Sequence, residues 1–298
     1  MGAGRTMSNV YKPKVHFAGP ICFMSGYGEH SRYIFRFLLE HQDKYDLYLT
    51  PMVWAESTYN MHSLFSKDEV KQIEHLLEKS SGYMEQMKAK SALKFDLSLQ
   101  VGIPSDWSPE VADKMIGITA GIETDWMRFD WIEQYLHKCD EVWVVSKHSK
   151  YAALQTIDVW DKAKSGTWGN IGKMPELSSG VKEMSQQVLT KVKVIGFPVR
   201  SGLQKPVNEI EDLLGDVTTD FNFLSVNQIG PRKNVECLLK EFIEEFRDNE
   251  NVGLVLKSHM VNHAIPDKYL CERILTQHIK SQLKDQNYKC KIYLLHGN

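Results

Sequence analysis

The stretch that most limits what this chain can fold into runs from Phe221 to Phe246. Phe221-Asn-Phe-Leu-Ser-Val226 is a short apolar run, and Gly230-Pro231 stops it. Arg232 and Lys233 follow, and then Leu238, Leu239, Phe242 and Phe246 recur at helical spacing. The pattern predicts a strand, a tight basic turn and an amphipathic helix. In an open α/β sheet ligands gather at the carboxyl ends of strands, and a helix N-terminus attracts anions. Two cations at that turn point to a phosphate-bearing ligand; the competing reading is a pair of solvated turn charges.

The 298 residues suffice for about two domains that each bury a core. A formal net charge of -2 gives no global reason for nucleic-acid or anionic-membrane binding, although local patches stay open. Cys22, Cys139, Cys237, Cys271 and Cys290 are odd in number and lack C-x-x-C spacing. They read as reduced thiols in a cytosolic setting. Met1 to Asn9 is small and polar, with no signal-peptide or membrane-spanning pattern, so a cytoplasmic location is expected.

Taken in order, Val15 to Gly19 reads as a first strand, followed by a loop with Gly26 and Gly28 and a helix from Glu29 to His41. Glycines there let backbone N–H groups approach a ligand, or simply make a tight turn. Asp46 to Thr50 predicts a second strand. Ser66-Lys-Asp-Glu69 has capping-box spacing before a helix, with a second helical stretch near Met84 to Leu93. Phe95 to Val101, Lys114 to Thr119 and Glu141 to Val145 complete a strand series. Glu123 and Asp125 fall just past the Lys114–Thr119 strand, where site residues are expected, with a helix cap and a surface acid as the plain alternative. Trp126 beside them is a candidate stacking surface. Thr156 to Thr190 reads as an extended loop or surface excursion, and Lys191 to Pro198 as a closing strand. The expected organisation is a first domain over 10–200, a linker over 201–220 and a partial second domain over 221–298. In that second part strands and helices alternate, which predicts a parallel sheet, and the chain stops directly after a strand at His296-Gly-Asn298.

Several of these stretches together resemble the group-1 (family 4 type) retaining glycosyltransferases of GT-B architecture. The strongest match is Phe223-Leu-Ser-Val-Asn-Gln-Ile-Gly-Pro-Arg-Lys-Asn-Val235; Gly26-Tyr-Gly28, Ile118 to Asp125, Val142 to Ser146 and Val194 to Pro198 support it. The resemblance implies an α/β, GT-B-like fold of two Rossmann-like parallel-sheet domains, the second incomplete. It implies transfer of a hexose, with retention, from a nucleotide-diphosphate sugar to a hydroxyl of a glycan, lipid or protein. Lys233 and Arg232 would hold the donor diphosphate, offsetting charge on the leaving group. Gly26 and Gly28 would line the cleft, and Glu123 would orient a sugar hydroxyl or move a proton, with Asp125 beside it. No cofactor beyond the donor and no catalytic metal is implied, no nucleic acid is expected, and peripheral contact with a membrane is left open.

Two departures qualify the resemblance. Many relatives carry Gly-Arg at the strand end, whereas this chain has Asn227-Gln228, and Gln228 donates hydrogen bonds without charge. The glycine-rich segment and spaced glutamate pair of the family's second domain are not reached before Asn298. A C-terminally truncated enzyme is therefore expected, with a non-catalytic binding protein derived from one as the alternative, and an epimerase of the same shape as a third reading. Lys257 at a strand end is either cleft-facing or a surface lysine. His259 and His263 stand four apart but lack a glutamate or third ligand, so no metal site is expected there.

Overall fold

The computed structural model describes residues 11–54, 57–90, 92–164, 180–198, 215–261, 264–282 and 287–297. The chain divides into two units, Met1–Ala55 with Tyr59–Val199, and Glu56–Thr58 with Arg200–Asn298.

The first unit begins with β1 (Lys14–Gly19), α1 (Gly26–Glu40) and β2 (Asp46–Pro51). A short α2 (Met61–Leu64) leads to α3 (Lys67–Ala89). β3 (Phe95–Val101), β4 (Ala112–Thr119), α4 (Phe129–Glu133), β5 (Glu141–Val144), α5 (Lys147–Lys164), α6 (Val181–Lys191) and β6 (Val192–Val194) follow. The six strands form one sheet in the order β2-β1-β3-β4-β5-β6, and every pairing is parallel. The chain leaves β1 toward β2 and then reverses to build β3 to β6 on the other side. That makes the crevice at the carboxyl ends of β1 and β3 the switch point where such sheets place ligands.

Burial explains the strand sequences. Val15, Phe17, Leu47, Leu49, Leu99, Val101, Ile116 and Ile118 pack with Phe35 and Leu38 of α1 and Ile73 and Leu76 of α3 in one core. A second core joins Met115, Val142 and Val144 to Trp131, Ala153, Ile157, Met184 and Val188. Strands covered on both faces read as continuous apolar runs.

Several elements differ from the sequence-based expectation. The two helical stretches expected on either side of Gly82 are one 23-residue helix, α3. Tyr83, Met84 and Met87 on its second half pack around Tyr48 and Phe95, which compensates the roughly 1 kcal/mol a helical glycine costs. The expected excursion over 156–190 contains the end of α5 and nearly all of α6, a polar helix that buries only Met184 and Val188. The expected strand Lys191–Pro198 is reduced to Val192–Val194, because Lys191 still belongs to α6. Ser165 to Gly172 and most of the expected linker lie outside the described residues.

The second unit contains β7 (Phe221–Gln228), α7 (Val235–Phe246), β8 (Val252–His259), α8 (Ile265–Gln282) and β9 (Lys291–Leu295). Its sheet is parallel, in the order β7-β8-β9. α7 packs against α8, and both share a core with the face of the sheet that carries Leu254 and Leu256. Their core is Val235, Leu239, Phe242 and Ile243 against Leu254, Leu256, Cys271 and Leu275.

Candidate functional site

In the first unit the candidate residues collect at the carboxyl edge of the sheet. Gly26 and Gly28 fall in the first turn of α1 rather than in the loop before it. Ser25 caps that helix, accepting the Gly28 N–H at 3.0 Å. The two glycines are not equivalent. A Cβ at Gly26 would meet nothing, whereas one at Gly28 would lie 2.0 Å from the Phe23 carbonyl oxygen. Gly28 is therefore required for the helix to sit against its own preceding loop. Buried Arg32 fixes that loop by donating to the carbonyls of Ile21 and Phe23, while Glu29 pairs with it at 2.7 Å.

Beyond β4 the chain turns at Gly121, whose φ of 84° and close approach to Ser149 Oγ both call for glycine. Ser149 donates to the Ala120 carbonyl, and the His148 ring meets the Thr124 carbonyl at 3.2 Å. The first turn of α5 thus holds the segment that presents Glu123, Asp125 and Trp126, all exposed. The Trp126 ring lies 6.2 Å from that of Phe129, tilted against it. The link between this segment and α1 is Tyr27, which no sequence motif marks. Its hydroxyl lies 2.7 Å from Thr119 Oγ1 and accepts the Ala120 N–H, and its ring rests 4.3 Å from that of Trp54. Burial pushes the Tyr27 hydroxyl pKa up, and the charge of Glu123 adds to the rise. Half-buried Tyr27 and Trp54 and exposed Glu123 therefore offer an aromatic and polar surface that can meet hydroxyls and ring faces, while fully buried Thr119 anchors the Tyr27 hydroxyl. Only their assembly reveals it, since they come from three separate segments.

In the second unit β7 ends at Gln228, and Pro231–Lys233 forms a single 3-10 turn. Asn234 then adopts a left-handed conformation, φ 48° and ψ 42°, tolerated by asparagine, and α7 begins at Val235 with no side-chain cap. Arg232 and Lys233 are exposed at that helix N-terminus. Beneath the turn lies a hollow of about 390 Å³ lined by Ile229, Gly230, Pro231, Asn234, Met260 and His278, among others. Gln228 donates to the Met260 carbonyl at 2.6 Å, tying the end of β7 to the end of β8. Lys257 donates to the Gly297 carbonyl, tying β8 to the segment after β9, and burial lowers its pKa. Both side chains thus have structural partners. Of the spaced histidine pair, His263 lies outside the described residues. Three metal-competent side chains do converge near the ends of β8 and β9: Asp267, Cys271 and His296.

Among the described residues no helix is long and apolar enough to cross a membrane. No family model matches the chain, and no curated protein matches it in sequence. Among solved structures it is similar to Anabaena HepE in complex with UDP-glucose, and to the same protein with UDP and glucose. Each likeness has a TM-score of 0.53 at 10% identity and covers 96% of this chain and 70% of that one. The HepE complex with UDP gives a TM-score of 0.50 at the same identity, over 95% and 69% of the two chains. At that identity the likeness is one of fold, and it assigns the chain's parallel-sheet units to the α/β, GT-B-like class.

Proposed function

We propose that this chain is a glycosyltransferase that takes a hexose from a nucleotide-diphosphate sugar and passes it, with retention, to a hydroxyl acceptor. The observation that carries the reading is the basic turn Gly230–Lys233, set at the carboxyl end of β7 and the N-terminus of α7. A helix N-terminus favours an anion by about 0.3–1 kcal/mol, and two adjacent cations add charge-assisted hydrogen bonds to phosphate oxygens. Arg232 and Lys233 hold the diphosphate and offset the charge that grows on it as the glycosidic bond breaks. Glu123 and Asp125, with Tyr27 and Trp54 behind them, orient sugar hydroxyls. The HepE complexes, which share the fold and contain UDP-glucose or UDP, support a uridine nucleotide as the first donor to try.

Titration calorimetry of the full chain with UDP tests this. Lys233→Ala is expected to weaken binding about 10- to 100-fold, the worth of one hydrogen bond to a charged group. Equal affinity in wild type and variant sinks the assignment. A second reading, a nucleotide-binding protein without transfer, is favoured by Gln228 standing where many relatives carry a cation and donating instead to Met260. Nucleotide binding without product formation from hexose donors would select it.

A further inference from the structure

The carboxyl ends of β8 and β9 carry a cluster that donor binding does not use. Asp267 and Cys271 stand four residues apart on one face of α8. His296 follows β9, and the ligand atoms of all three lie within 4.8 Å of one another. The cluster is largely shielded from solvent: Cys271 is fully buried, Asp267 nearly so, and the His296 side chain is 3% exposed.

The spacing has a chemical meaning. His296 Nε2 lies 2.9 Å, and Cys271 Sγ 3.7 Å, from the same oxygen, Asp267 Oδ2. A tetrahedral zinc bonded at about 2.0 Å to nitrogen and oxygen and about 2.3 Å to sulfur holds its ligands about 3.3–3.5 Å apart. The two separations fall on either side of that interval, so small side-chain shifts admit the ion. The outer shell is also built. Asp267 Oδ1 accepts the Val261 N–H and Oδ2 the Met260 N–H, each at 2.9 Å, which fixes the carboxylate plane.

We propose that Asp267, Cys271 and His296 bind a borderline-soft divalent cation, zinc foremost, with water as the fourth ligand. Thiolate and imidazole exclude magnesium and calcium, which take oxygen ligands. The ion joins the first turns of α8 to the segment after β9.

The test uses the full chain, stripped with a chelator and titrated with cobalt(II) while absorption is recorded. One equivalent is expected to produce a thiolate-to-cobalt charge-transfer band that zinc abolishes by displacement. Cys271→Ser is expected to lose the band, and His296→Gln to weaken zinc binding by at least about 100-fold, since even second-shell partners are worth about 10- to 100-fold. If the wild-type chain, with circular dichroism showing it folded, gives no thiolate band at saturating cobalt, the cluster is a hydrogen-bonded triad and the proposal fails. A band that survives in Cys271→Ser overturns it as well, by moving the metal to another cysteine.

Discussion

β1 and β7 each open their unit and read alike in sequence, yet they live in different surroundings. β1 lies inside its sheet between β2 and β3, and five of its six residues are buried. β7 is an edge strand with no buried residue. Phe223 turns toward α7, where it meets Phe242 and Phe246 at ring distances of 6.0 and 5.3 Å. Leu224 and Val226 point to the opposite face and are 68% and 70% exposed. Apolar content therefore marks a strand without saying how much burial it receives. Sheet order decides that, because a β-strand is covered only by what lies across and beside it.

Three measurements put this contrast at risk. The largest effect belongs to Phe17→Ala in β1. Phe17 is fully buried and packs 5.9 Å from the Phe35 ring, so its truncation should cost about 3–5 kcal/mol in urea unfolding. A cost under about 1 kcal/mol would show that β1 is not the packed strand described.

The next effect is pH-dependent and also centred on β1. Its His16 is buried between Ser98 Oγ at 2.8 Å and Thr50 Oγ1 at 2.9 Å, with its ring stacked on Phe95. Burial lowers its pKa from 6.5 to about 4. A lowered histidine pKa means the neutral form is the one the fold accepts. The contribution is complete above about pH 6.5 and is lost as pH falls toward about 4, by about 3 kcal/mol in all. His30, lowered to about 4 by burial, acts in the same window. Urea midpoints between pH 7 and 4.5 should drop accordingly, and His16→Gln should flatten the curve; a wild-type midpoint that stays level across that range contradicts the burial of these rings.

The smallest effect belongs to β7. Leu224→Lys should change unfolding free energy by no more than about 0.5 kcal/mol, while lowering any self-association seen by light scattering, because a charge blunts a bare strand edge. A loss of about 2 kcal/mol or more would mean that this face is covered in solution, and the contrast with β1 would disappear.

The parts legible in the sequence are those with local causes. The capping box at Ser66 and Glu69 forms as its spacing requires, with Ser66 N–H to Glu69 Oε2 at 2.7 Å. The strand, turn and helix around Arg232 and Lys233 also form in the expected order. α6 escaped notice because a helix that buries two side chains leaves almost no periodic signal. At the sites the same division holds. Charged turn residues announce themselves, but the meeting of Tyr27 with Thr119 depends on a contact spanning 92 residues. Asp267 meets His296, 29 residues away, a pairing that no local spacing announces.

The succession of strands and helices and the basic turn after β7 thus follow from local sequence, since hydrophobic period, caps and turn residues act over a few positions. Tertiary packing alone settles which strand is central and which is an edge, that Gly28 is indispensable where Gly26 is not, and which distant side chains share a site. Those outcomes depend on close packing between segments far apart in the chain, which no local pattern encodes.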